Sequence, residues 1–231
     1  MDGAQAAGIA VHDPPPLGTK GRRTHDALLD ALERCLAAGG YPAATSTAVA
    51  AEAGVSTGTF DTYFEDRHAA LAAAFARRLR RLIDVVEAEL TIEAVLDDGL
   101  QPVLERAVDA VLAEYRRHAA TYRAALAQLP SSASLRETYW RAHELSERTL
   151  TTFLRRAQAA GRVREQADPR ILALTLLVVV QGANNPLLLT DPDDAQTRAI
   201  RGELTALLTH LLTGEPAAGR LRSRDRGQEP T

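Results

Sequence analysis

Residues 45–66, TSTAVAAEAGVSTGTFDTYFED, carry helix-capping side chains at Thr45 (or Ser46), Ser56 and Asp66. Only two very short helices fit between such closely spaced caps. Gly54 stands between them, where the chain must leave one helix and turn at once into the next. Phe60 and Phe64 are one helical turn apart and are expected to face inward together. A longer helix over 24–38 precedes this pair, with Leu28, Leu32, Cys35 and Leu36 on one face and Gly39-Gly40 as its stop. A second long helix, over about 67–89, follows Asp66.

Beyond residue 90 the pattern stays helical. Ala and Leu dominate, and β-branched residues never form alternating runs. Helices are expected at about 98–117, 119–128, 133–160, 168–188 and 193–212, with breaks at Pro130, Gly161, Asp168-Pro169 and Asp191-Pro192. This gives an all-α chain of about nine helices, and 45% apolar residues are enough to bury a core. Residues 1–20, with Pro14, Pro15 and Pro16, read as a disordered arm. Residues 214–231 read as a polar disordered tail.

Charge and cysteine content narrow the setting. A net charge of −3 gives no global attraction to nucleic acid or anionic lipid. One cysteine excludes an internal disulfide framework and suits a reducing compartment. The longest apolar run, ILAL-T-LLVVV, is far short of the roughly 20 residues that a membrane helix needs. No basic start followed by an apolar segment marks a secretory signal, so a soluble, cytoplasmic protein with no membrane partner is expected.

A helix, a glycine turn and a short capped helix form a helix-turn-helix signature. A short helix with small polar side chains fits a major groove about 12 Å wide. From about Thr24 to Phe75, the ordered combination of LLDALERCLAAGGY, TSTAVAAEAGVSTGTFDTYF and FEDRHAAL resembles the DNA-binding domain of the TetR (tetracycline-repressor-like) family of transcriptional regulators. The resemblance implies a three-helix DNA-binding domain over 21–68 and a helical ligand-binding and dimerisation domain over 69–213. It further implies that Thr45, Ser56, Thr57, Gly58, Thr59, Thr62 and Tyr63 meet DNA, with Thr47 beside a phosphate. Arg67 stands where the family commonly has lysine and would keep a backbone contact. Lys20, Arg22 and Arg23 precede the 24–38 helix, where basic arms reach phosphate or the minor groove.

Asp61 departs from the pattern, since the family usually places tyrosine there. With Phe60 and Phe64 inward, Gly58 and Thr62 lie near the opposite face, Thr59 and Tyr63 on one flank, and Thr57 and Asp61 on the other. Three roles are open to Asp61 in this DNA-binding set: accepting from a cytosine amino group, pairing with an arginine, or weakening the phosphate contact. Residues 20–68 hold five cations (Lys20, Arg22, Arg23, Arg34, Arg67) and seven anions (Asp26, Asp30, Glu33, Glu52, Asp61, Glu65, Asp66). That net charge of −2 is unusual for a domain that meets DNA.

Other chemistry finds little support. GVSTG at 54–58 matches G-x-S-x-G, but a nucleophile elbow needs a preceding strand, and an Ala-rich helix stands there. RRLRR at 77–81 reads as a solvated run, with Asp84 spaced for ion pairs to Arg80 and Arg81. No histidine spacing fits a metal site, no cofactor is implied, and Cys35 reads as core. A non-enzymatic protein is expected.

In the C-terminal half, Tyr115, Tyr122, Tyr139, Trp140 and Phe153 offer aromatic area either to a ligand pocket or to helix packing. Gln181, Asn184 and Asn185 set amides inside an apolar helix that Gly182 and Pro186 should kink or end; they need a ligand, a dimer mate or backbone as partner. Tyr115, Tyr122, Trp140, Phe153, Gln181, Asn184 and Asn185 are the candidate ligand contacts. The family resemblance places a homodimer interface on the two last helices, over Ile171–Val180 and Leu204–Leu212. The expected function is a ligand-responsive repressor that binds a double-stranded, pseudo-palindromic operator and is released by a small, largely apolar effector. The alternative is a dimeric small-molecule-binding or scaffold protein with weakened DNA binding.

Overall fold

Local capping sets the element boundaries. The computed structural model describes residues 18–190 and 193–214, with 184–190 as backbone only. The expected arms thus lie outside the described residues, except where they border the first and last helices. Ten helices run in order: α1 (Thr19–Ala43), α2 (Ser46–Glu52), α3 (Thr57–Tyr63), α4 (Arg67–Glu89), α5 (Ile92–Asp98), α6 (Leu100–Arg117), α7 (Ala119–Gln128), α8 (Ala133–Ala159), α9 (Pro169–Thr190) and α10 (Asp194–Thr213). No strand occurs among the described residues.

The expected stops and starts are where the sequence placed them, with three differences. Gly40 breaks α1 with φ 66°, beyond which a short turn reaches Ala43. α1 begins at Thr19, so Arg22 and Arg23 lie within its first turns rather than ahead of it. The additional helix is α5, seven residues capped by Thr91, whose hydroxyl accepts from the Ala94 N–H at 3.2 Å. In α9, the helix continues through Gly182 and Pro186 to Thr190, so neither residue ends it.

Two cores are stacked end to end along α4. The first gathers Leu28 and Leu32 of α1, Val49 of α2, Phe60 of α3 and Tyr122 of α7 around Leu71 and Phe75 of α4. The second gathers α5, α6, α8, α9 and α10 around Val95, Leu104, Leu154, Leu172 and Leu208. Val86, near the end of α4, packs against both. The first half of α4 is buried nearly all round, at Ala70, Ala72, Ala73, Ala74 and Ala76. Small side chains there let α1, α7 and α8 approach its backbone closely. One rigid rod therefore joins the N-terminal helices to the C-terminal bundle.

Candidate nucleic-acid interface and adjoining cavity

The turn between α2 and α3 is built from backbone bonds and two caps. Thr45 Oγ1 accepts from the Ala48 N–H at 3.2 Å and starts α2. At its end, the Val55 N–H donates to Ala50 O at 2.9 Å and the Gly54 N–H to Ala51 O at 3.1 Å. This paired closure places Gly54 at φ 70°, a conformation costly for any residue with a Cβ. Ser56 then caps α3, its Oγ accepting from the Thr59 N–H at 3.1 Å and lying 2.9 Å from Thr59 Oγ1.

Phe60 and Phe64 fix the rotation of α3. Both are buried, with ring centroids 5.4 Å apart, and the His25 ring stands 5.3 Å from Phe64. Burying each phenyl ring contributes roughly 1.5–3 kcal/mol, enough to hold one face of a two-turn helix inward. Thr57, Gly58, Asp61 and Thr62 are left exposed, with Thr59 and Tyr63 half-buried at the flank. Thr62 Oγ1 donates to Gly58 O at 2.9 Å, leaving its lone pairs outward. Thr47 is exposed in the first turn of α2.

Arg67 opens α4 with its guanidinium 4.5 Å from the Tyr41 ring centroid, a cation–π contact that holds the side chain beside the motif. Asp66 caps the same helix, accepting from the His68 and Ala69 N–H groups at 2.7 and 2.8 Å. Desolvation works against its charge, but those two backbone bonds outweigh it and hold the carboxyl below its usual range.

Three of the seven carboxylates in residues 20–68, Asp30, Glu33 and Glu52, are met by arginines of the same chain. Arg34 Nε meets Glu52 Oε1 at 2.5 Å. Asp30 and Glu33 are met by Arg77 at 2.8 Å each, and Glu33 also by Arg78 at 2.8 Å. Asp61 is exposed and enters no ion pair among the described residues, so the arginine-pairing role finds no partner there.

Arg77 and Arg78 correct the reading of RRLRR as a solvated run. Arg80 does pair with Asp84 at 3.7 Å, but Arg77 and Arg78 are largely buried between α1 and α6–α7. Arg78 Nη1 lies 3.1 Å from His118 Nε2 and 3.8 Å from Glu114 Oε1, and Glu114 is only 5% exposed. Nothing in the spacing shows this, because Glu33 is 44 and 45 residues from its two arginines.

Below the network a cavity of about 500 Å³ opens between α4, α6, α7, α8, α9 and α10. Of the expected ligand contacts, Tyr115, Tyr122, Trp140 and Gln181 line it. Phe153 does not; it packs into the second core and borders a separate 130 Å³ recess beside Glu87 and Arg156. The side chains of Asn184 and Asn185 lie outside the described residues. Tyr139, His143 and Ser146 also line the cavity. Their signal was the i, i+4, i+7 spacing that puts them on one face of α8. Tyr139 O–H donates to Gln181 Oε1 at 3.1 Å, supplying one partner to the half-buried amide. Burial pushes the Tyr115 and Tyr122 hydroxyls upward, so both stay protonated.

The expected interface stripe divides in two. Leu172, Leu176, Leu204, Leu208 and Leu212 are buried within the chain. Ile171, Val178 and Leu207 remain 60%, 67% and 44% exposed on α9 and α10. Among the described residues, no helix is long and apolar enough to cross a membrane and no residue cluster fits a metal ion. The GVSTG match sits on the α2–α3 turn, with no strand before it.

Residues 28–74 match the family model described as bacterial regulatory proteins of the tetR family. No curated protein matches the sequence. The whole fold is similar to that of a TetR transcription regulator from Haloarcula marismortui, with a TM-score of 0.70 at 18% identity, covering 83% of this chain and 100% of that one. It is also similar to Salmonella enterica GusR, with a TM-score of 0.69 at 21% identity over 84% and 97% of the two chains. SmeT in complex with triclosan gives 0.63 at 24% identity over 81% and 90%.

Proposed function

We propose that this chain, whose N-terminal unit is a tetR-family regulatory domain within a TetR-like all-α fold, is a ligand-responsive transcriptional repressor acting as a homodimer. The observation that carries this reading is the single rod α4. Its start is capped beside the exposed face of α3, and its remaining length forms one wall of the cavity. A ligand that fits the cavity in one position of α4 better than in another shifts the spacing of two recognition helices through that rod.

In this reading Ser56, Thr57, Gly58, Thr59, Thr62 and Tyr63 face the major groove, and Arg22, Arg23, Thr45, Thr47 and Arg67 contact the backbone. Dimerisation through the exposed face of α9 and α10 spaces two such helices on a pseudo-palindromic operator. The effector is small and largely apolar, as the cavity walls are; SmeT, which has this fold, is complexed with triclosan.

Selection of genomic fragments by the purified protein tests the proposal and exposes the operator. A saturable, salt-sensitive complex with a two-fold symmetric site is expected. Asp61 motivates a second reading, a dimeric small-molecule-binding protein with a decayed DNA contact. Absence of any sequence-selective complex, in a chain that still dimerises and binds ligand, would establish that reading instead.

A further inference from the structure

The cavity runs lengthwise rather than round. Along α4 its wall extends from Phe75 to Leu90, a rise of about 22 Å. Phe75, Tyr115 and Tyr122 belong to the first core, whereas Leu104, Leu204 and Leu208 belong to the second. The second-core end is lined by aliphatic side chains and the Thr149 side chain. The first-core end is aromatic, and there Tyr139, His143 and Gln181 bring polar atoms together.

Two features of that end define the ligand. No Asp, Glu, Lys or Arg lines the cavity among the described residues, so a charged group entering it would lose its water with no counter-ion in return. Several polar groups are already engaged within the protein. Tyr122 O–H donates to Arg78 O at 3.3 Å, Thr149 Oγ1 to Glu87 Oε1 at 2.9 Å, and Tyr139 O–H to Gln181 Oε1. His143 is different, because its Nδ1 is buried with no hydrogen-bond partner. Its ring rotates about a broad two-fold torsion, so either nitrogen can be turned to a ligand. The Gln181 amide contributes an NH2 donor beside it.

We propose that the effector is an uncharged, elongated amphiphile, with one hydroxyl-, carbonyl- or amide-type head at Tyr139, His143 and Gln181 and an aliphatic body running toward Leu90 and Leu208. This rests on the cavity being the effector site. The aromatic end by itself fits a quaternary ammonium as well, through cation–π attraction. The lack of a lining carboxylate favours the neutral head.

Trp140, the only tryptophan in the chain, lines the cavity and reports occupancy by fluorescence. Three probes of equal chain length, 1-decanol, decanoate and decyltrimethylammonium, are titrated below micellar concentrations at pH 7.5, with thermal stabilisation as a second readout. Decanol is expected to bind at least tenfold more tightly than either ion. Gln181→Leu and His143→Phe should each weaken decanol at least fivefold while the fold is retained. Gln181→Lys should turn the preference to decanoate. If either ion binds the wild-type chain as tightly as decanol, the neutral-head assignment is overturned and the cavity stands as a binding site. If none of the three alters emission or melting, the cavity is not the effector site and both readings fall.

Discussion

Glu33 of α1 receives Nε and Nη2 of Arg78 of α4, each at 2.8 Å, in a two-point grip that ties the N-terminal helices to the cavity wall. The same arginine is held from the other side, through His118 at 3.1 Å and through Tyr122 O–H on its carbonyl oxygen. Tyr122 lines the cavity. One residue is thus touched both by the N-terminal unit and by a side chain of the cavity wall, so any displacement of Tyr122 bears directly on the contact to α1.

Removing Arg78 takes from Glu33 one of its two arginines and leaves Glu114, only 5% exposed, without its guanidinium neighbour. Arg78→Met should destabilise the fold by about 3 kcal/mol, which for a chain of this size lowers Tm by about 6–12 °C. Glu33→Leu combined with Arg78→Met should lose less than the sum of the two single changes, because the paired carboxylate and guanidinium are then removed together. Thermal unfolding of the two single variants and the double variant measures both effects. Additive losses in the double variant would show that the two side chains do not act as a pair.

His118 gives the same network a pH dependence. Burial and then the Arg78 charge lower its pKa, against the opposing pull of Glu114 and Glu33, with Arg117 adding to the lowering. A depressed histidine binds fewer protons folded than unfolded between its folded value and the ordinary value of about 6.5. Its stabilisation is therefore complete above about pH 6.5 and is lost as pH falls through the folded pKa. Tm should drop between pH 7.5 and 5.5 by more in the wild-type chain than in His118→Gln. Equal drops would assign the acid sensitivity elsewhere.

The contrast between α3 and this network shows what a sequence makes legible. Ser56, Gly54, Phe60 and Phe64 act over one or two turns, so spacing alone places the caps, the turn and the buried face. Glu33 and Arg78 act across 45 residues, and only the packing of α1 on α4 brings them together. The aromatic candidates fall between these cases. Tyr115, Tyr122 and Phe153 look alike along the chain, yet two line the cavity and the third fills a core, because helix rotation decides which face looks inward. The helix α5 went unseen because seven residues carry too little periodicity to register against the end of α4. In α9, the apolar run carried the helix past Gly182 and Pro186, where local propensity alone would stop it.

Asp61 is exposed on the flank of α3 with no cation to neutralise it among the described residues. A carboxylate there repels phosphate, and the repulsion is screened by salt. Asp61→Asn should tighten operator binding about threefold to tenfold at low salt, with less gain at high salt. Asp61→Tyr should gain at least as much, since a hydroxyl donor then replaces the charge. Fluorescence anisotropy titrations at two salt concentrations decide this. A loss of affinity confined to sites with a cytosine at one position would instead reveal the aspartate as a base reader.

The last prediction concerns the exposed apolar face. Ile171 and Val178 lie seven residues apart on α9, two turns along one face, and are 60% and 67% exposed, and Leu207 of α10 is 44% exposed. Their side chains make no core of this chain, so Val178→Arg should leave Tm within about 2 °C of the expectation for a folded monomer. In a dimer packed through this face, the same change buries an unpaired guanidinium at the two-fold axis and should yield monomers in sedimentation analysis. Operator affinity should then fall by about 10²–10⁴, because the second half-site no longer benefits from the high local concentration that the linked partner supplies. Each monomer keeps its α3 surface, so residual binding to a single half-site should persist. A variant that remains dimeric with unchanged affinity would place the subunit interface on another face.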